Sequence, residues 1–252
     1  MNLLGVLALG LFLGVRHATD ADHVVAVSTI VSRERTTRSA MLVGALWGLG
    51  HTLTILLVGG AIVIFGLVIS PRAGLGMELC VACMLIGLGL MNVTGAMRRI
   101  DEAVHGGPPG EHAHEHGGPN HAGTSHGGPS SRRAVPSSLA LAARLRPLFI
   151  GIIHGLAGSA ALALLVLTTI DGTASAIVYL AVFGLGTVIG MMLLTALVAL
   201  PVAAASRRFA SFDRTLARLT GVVSIAFGLF LAYEVCFVEG LFLEDTASLS
   251  DQ

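Results

Sequence analysis

Between residues 3 and 31 the chain is apolar except for one block, Arg16-His17-Ala18-Thr19-Asp20-Ala21-Asp22-His23, which sets five ionisable side chains inside a stretch long enough to cross a bilayer. Each charge at the centre of a spanning helix costs about 2.5–3.5 kcal/mol on insertion scales, so such groups turn inward, pair, and mark an ion or proton path. On a continuous helix His17, Asp20 and His23 share one broad face, while Asp22 points elsewhere and reaches the same site only if the helix is broken. Two imidazoles with one or two carboxylates make a nitrogen and oxygen ligand set that suits Ni, Co, Zn or Cu better than Ca or Mg. Arg16 is expected to pair with Asp20 or Asp22 and orient it. A salt bridge that only joins helices is the alternative reading, but it does not need five polar groups in eight residues.

The rest of the chain is of the same kind. It is 54% hydrophobic and 12% charged, against about 25% charged in soluble domains, which makes it an all-α integral membrane protein. Six apolar segments reach spanning length, at residues 3–31, 41–69, 74–97, 148–170, 174–204 and 219–238. The first, second and fifth exceed that length, which means tilt, a break or an end emerging into water, and their Gly and Pro residues favour breaks. All 15 basic residues are Arg, and a formal net charge of zero argues against a nucleic-acid partner. Thirteen Arg fall in the connections after the first, third and fifth segments and one, Arg72, after the second, so those three connections are expected on the cytoplasmic side and both termini outside. Without a basic n-region or cleavage site before the polar block, a removed signal peptide is not expected. Cys80, Cys83 and Cys236 lie in apolar runs and read as core.

Residues 98–146 are rich in Gly, Pro, Ser and His and cannot bury a core, so a disordered loop is expected there. It carries six of the ten histidines, and the spacing of His112, His114 and His116 lets a flexible chain chelate a divalent cation loosely. The other four, His17, His23, His51 and His154, all fall within the predicted helices.

An internal repeat sets the expected architecture. Ala45-Leu46-Trp47-Gly48-Leu49-Gly50-His51 reads against Ala181-Val182-Phe183-Gly184-Leu185-Gly186-Thr187, and Leu11-Phe12-Leu13-Gly14 with His17 against Leu148-Phe149-Ile150-Gly151 with His154. Three helices per half is an odd number, so the halves enter the membrane in opposite senses, the inverted-repeat plan of transporters. The expected division is a first three-helix repeat at 1–97, a His-rich cytoplasmic loop at 98–146, a second repeat at 147–240 and an acidic tail at 241–252. His51 then joins His17, Asp20 and His23 around one ion. His154, the counterpart of His17, is either a further ligand or a hydrogen-bonding partner between helices. Thr52, Asn92, Ser159 and Thr187, with Arg16, are candidates for orienting the ligands.

The block from Arg16 to His23, with His17, four residues, then Asp22 and His23, resembles the signature of the nickel/cobalt transporter family, and Leu49-Gly50-His51-Thr52 resembles that family's second intramembrane motif. The run HGLAGSAAL from His154 to Leu162 is similar to the smaller branch described as urease-accessory-like or high-affinity nickel transport proteins. The resemblance implies uptake of Ni²⁺ or Co²⁺ across a cytoplasmic (inner) membrane, with His17, Asp22 and His23 as the critical residues of the first helix. Two departures stand out: larger members of the family have eight helices, and their later motif carries an Asp and a Glu where this chain offers only Thr187.

The expected function is therefore transport of divalent nickel or cobalt by a non-enzymatic permease that keeps no permanent cofactor, with the bilayer and cytoplasmic metallochaperones as partners. Efflux by the same architecture is the first alternative, with the His-rich loop as collector. A membrane accessory protein that passes metal to an enzyme under assembly is the second. An intramembrane metalloenzyme with a metal at His17, His23 and His51 is the third, and no HExxH motif supports it.

Overall fold

The computed structural model describes residues 3–32, 34, 36–67, 70–96, 137–155, 170, 172–206 and 212–242. These form seven α-helices and no strand: α1 Leu3–His17, α2 Ala21–Val31, α3 Thr37–Phe65, α4 Pro71–Val93, α5 Ser137–His154, α6 Thr173–Ser206 and α7 Phe212–Tyr233, the last continuing into a π-helical turn, Glu234–Val238. Four stretches, Thr37–Phe65, Pro71–Val93, Thr173–Ala205 and Arg214–Val238, are long and apolar enough to cross a membrane, and the bent pair Leu4–His17 and Ala21–Val31 makes a fifth. The helices read as the spans of a multi-pass membrane protein.

Local sequence explains the helix ends. Thr36 caps α3 by accepting the Ser39 N–H at 3.2 Å, and Gly66 ends it in the left-handed conformation at φ 62°, which costs a glycine little. Ser70 caps α4 in the same way, with Pro71 at the first helical position where a missing N–H is harmless.

The packing is inverted relative to a soluble bundle. On α3 the large residues Leu42, Leu49, Leu53 and Leu57 face outward, while Gly44, Gly48, Gly50, His51 and Thr52 are buried. Lipid offers leucine as good a solvent as protein does, so small and polar groups share the interior with a few large side chains such as Trp47, Tyr179, Phe183 and Leu85. Helix crossings are correspondingly close. A Cβ at Gly14 would run into the Phe183 carbonyl and one at Gly186 into the Leu11 carbonyl, where α1 crosses α6. Likewise Gly151 meets the Trp47 carbonyl and Gly50 the Leu148 carbonyl, where α5 crosses α3. Gly10 lies against Tyr179 and Gly190 against Ala18, so α1 and α6 run parallel, as do α3 and α5. By contrast α4 and α7 run antiparallel, with Gly89 against Gly221 and Gly228 against Ala82. Side-chain hydroxyls tie these crossings: Thr54 donates to the Ile152 carbonyl at 3.0 Å, Thr52 to that of Gly184 at 3.0 Å, and Ser224 to that of Leu85 at 2.8 Å.

Several expectations are corrected here. The break falls in the first segment alone among the long ones: α3 is continuous over 29 residues and α6 over 34, passing through Pro201, because their glycines serve close approach rather than bending. Helix α5 begins at Ser137, inside the stretch expected as loop. Its described residues reach Gly155, so most of the span expected at 148–170 lies outside the described residues. Cys80 and Cys83 are exposed on α4 and Cys236 is partly so, placing none of them in the core. An apolar outer face accepts a thiol as readily as a core does.

Candidate metal centre

The centre begins with a helix break. The last turn of α1 closes with three-residue bonds, Thr19 N–H to the Arg16 carbonyl at 2.9 Å and Asp20 N–H to the His17 carbonyl at 3.0 Å. Asp20 then takes an extended conformation, φ −62° and ψ 152°, and α2 leaves at a 56° bend. The bend changes which side chains converge. Asp22 enters the first turn of α2, at the positive end of that helix, where its Oδ1 accepts the His23 backbone N–H at 2.9 Å. On a continuous helix it would point away.

Four histidines meet below this break. His17 donates Nδ1–H to Asp20 Oδ2 at 2.9 Å, which leaves the lone pair of the neutral ring on Nε2. That Nε2 lies 2.9 Å from Nε2 of His51 on α3. Asp22 holds two further rings: Oδ1 stands 3.1 Å from His23 Nδ1 and Oδ2 3.1 Å from His154 Nε2 at the end of α5. His154 Nε2 is in turn 3.4 Å from His23 Nδ1. His23, His51 and His154 are fully buried and His17 nearly so. Among the described residues His23 Nε2, His51 Nδ1 and His154 Nδ1 have no hydrogen-bond partner.

All six residues singled out as ligands are thus brought together, though not as one flat helix face. Asp22 belongs to the cluster because of the break, and Asp20 backs His17 from a partly exposed position. The orienting candidates fare unevenly. Arg16 is exposed, and both carboxylates expected to hold it are engaged by histidines instead. Thr52 is beside the centre, tying α3 to α6. Thr187 is buried but donates to the Phe183 carbonyl of its own helix at 3.1 Å. Asn92 does not reach the histidines: its amide donates to the Thr29 carbonyl near the far end of α2 at 2.8 Å, close to Ser32 and Thr220. Ser159 and the loop histidines His112, His114 and His116 lie outside the described residues.

Two aromatic residues were not anticipated as parts of the centre. Phe183 lies over His17 with ring centroids 5.5 Å apart, and Trp47 stands edge-on to His154 at 5.6 Å while stacking near His23 at 6.2 Å. The signal was available, since both occupy the same place in the two matched heptapeptides. Chemically, the pocket offers imidazole lone pairs and carboxylate oxygens in a dry, apolar setting. Such a set binds first-row divalent cations, and each of His17, His23 and His154 is held by a carboxylate of the kind that orients metal-binding rings.

Comparison with known proteins places this geometry. The chain is 34% identical over 242 residues, 96% of its own length and 96% of the relative's, to a protein of Bacillus sp. (strain TB-90) described as urease accessory protein UreH. No protein-family model matches, and no solved structure does.

Proposed function

The chain belongs to the family of urease accessory protein UreH, and on that premise we propose that it carries Ni²⁺, or Co²⁺, across a cytoplasmic membrane through the cluster formed by His17, Asp22, His23, His51 and His154. One observation carries this reading: the Nε2 atoms of His17 and His51 face each other at 2.9 Å inside the membrane-spanning bundle. Two nitrogens bound at right angles to one ion, each at about 2.0–2.1 Å, stand about 2.9 Å apart. Right-angled nitrogen and oxygen ligation is the preference of Ni²⁺ and Cu²⁺. Burying four imidazoles and the largely buried Asp22 carboxylate without such a ligand would cost stability with nothing to offset it.

The architecture proposed with this function is six spans as two inverted three-helix repeats, residues 1–97 and 147–240, joined by a His-rich cytoplasmic loop, with both termini outside. Matched contacts support it. Gly14 against Phe183 corresponds to Gly151 against Trp47, and Gly186 against Leu11 to Gly50 against Leu148. The ring pair His17 and Phe183 likewise corresponds to His154 and Trp47. The parallel and antiparallel crossings are those that alternating spans would produce.

A second reading follows from the relative's name: an accessory protein that holds nickel for enzyme assembly, together with cytoplasmic metallochaperones, without moving it across. Accumulation of radioactive nickel by cells expressing the wild type or His17→Ala separates the two, with cobalt and zinc as competitors. Accumulation that rises with the wild type and is lost in the variant supports uptake; a fall below cells lacking the protein means efflux, and no change leaves the accessory reading.

A further inference from the structure

We propose that the buried cluster is two overlapping cation stations that share His23, one formed with His17 and His51 beneath Phe183, the other with Asp22 and His154 beside Trp47, and that the ion passes between them. The inference rests on the reading of the chain as a divalent-metal carrier. Candidate ligand atoms within 4.8 Å of one another fall into two sets of three, His17 with His23 and His51, and Asp22 with His23 and His154. Neither set holds both His17 and His154. Two atoms bound to the same ion stand at most about 4.2 Å apart, twice a metal–nitrogen bond, so a single ion takes the ligands of one set at a time.

His23 occupies the middle. Its ring centroid is 4.8 Å from that of His17, 5.2 Å from His51 and 4.2 Å from His154. Each station also has its own carboxylate support, Asp20 on His17 and Asp22 on His154, and its own aromatic neighbour, Phe183 at 5.5 Å or Trp47 at 5.6 Å. In the passage, bonds from the ion to His17 and His51 break as bonds to the Asp22 carboxylate and His154 form, His23 being the one residue common to both sets. No electron changes hands, and an N–H that faces Asp22 leaves its nitrogen, for the carboxylate or for the other nitrogen of the ring, before that nitrogen binds the ion. A shared ligand keeps the ion from being fully released inside the dry bundle, where an unligated cation would be prohibitively costly.

The test uses the purified full-length protein in lipid nanodiscs with Ni²⁺ alone, counting imidazoles around nickel by X-ray absorption, alongside nickel accumulation in cells. The wild type is expected to show no more than three imidazoles per nickel. His154→Ala, and His154→Gln should the alanine variant not fold, is expected to bind one equivalent through three imidazoles while accumulation falls at least tenfold. His51→Ala is expected to hold nickel through two imidazoles and carboxylate oxygen. Four imidazoles on one nickel in the wild type would overturn the proposal, as would loss of nickel binding from a His154 variant that elutes as a folded monodisperse species. A wild type that neither binds nor accumulates nickel would instead overturn the carrier reading beneath it.

Discussion

His17 and His51 stand 34 positions apart in the chain and meet Nε2 to Nε2 at 2.9 Å, a distance that admits one proton or one cation between them. Because they act on a common particle, their effects should not add. We expect His17→Ala and His51→Ala each to lower nickel accumulation at least tenfold, and the double variant to be no worse than either single one. Accumulation assays normalised to membrane expression check this; additive losses would show that the two rings act independently.

Asp20 accepts the Nδ1–H of His17 and so fixes which nitrogen faces the pocket. Asp20→Asn keeps the size of the side chain but weakens that acceptor and leaves its ring orientation open to either amide face. The expected result is a 10- to 100-fold loss of nickel affinity in titrations of the purified protein. Arg16→Ala, an exposed neighbour, should leave affinity within about threefold, far inside the range of changes seen when a ligand-orienting group is lost.

Gly14 and Gly151 each lie against a backbone carbonyl of a crossing helix, which cannot move aside as a side chain can. Gly14→Val and Gly151→Val should therefore destabilise the fold by about 1–3 kcal/mol or more. Gly87→Ala, where nothing stands within 4 Å, should be neutral or slightly stabilising. Unfolding in detergent by heat or denaturant would rank the three.

Asn92 joins α4 to α2 through the Thr29 carbonyl at 2.8 Å, away from the histidines. Asn92→Leu removes that anchor while leaving the ligand cluster untouched. The expected outcome is nickel binding within threefold of the wild type with accumulation reduced severalfold; a parallel loss of binding would place Asn92 in the metal site after all.

Much of the centre was legible from residue type alone. Buried ionisable groups in an apolar run leave few options, so His17, Asp20 and His23 stood out by their cost to the membrane and their common helix face, while His51 came in through the repeat and His154 stood open between ligand and interhelical hydrogen-bonding partner. Asp22 shows the limit of that argument. Helical periodicity turns it away, and only the break after Ala18, which no proline or glycine marks, turns it back. Arg16 failed for a related reason: charge complementarity ranked it first as the partner of the carboxylates, but three buried imidazoles, those of His17, His23 and His154, engage them. Asn92, a candidate because it is a polar residue in an apolar helix, instead reaches the Thr29 carbonyl near the opposite end of α2. For the fold, segment lengths located the long helices, but glycine content suggested breaks where the glycines instead bring helices together.

The bend after α1 has a mechanical meaning. Helices α1, α6, α3 and α5 form a chain of backbone-tight crossings, and α4 with α7 forms another, fastened by Ser224 on the Leu85 carbonyl. Short α2 belongs to neither block by covalent continuity alone: its first turn presents Asp22 and His23 to the first block, while its far end is held by Asn92 of the second. One short helix therefore ties the ligands Asp22 and His23 to α4 through the Thr29 carbonyl as well as to α5 through His154, so the geometry of the cation site depends on both blocks at once.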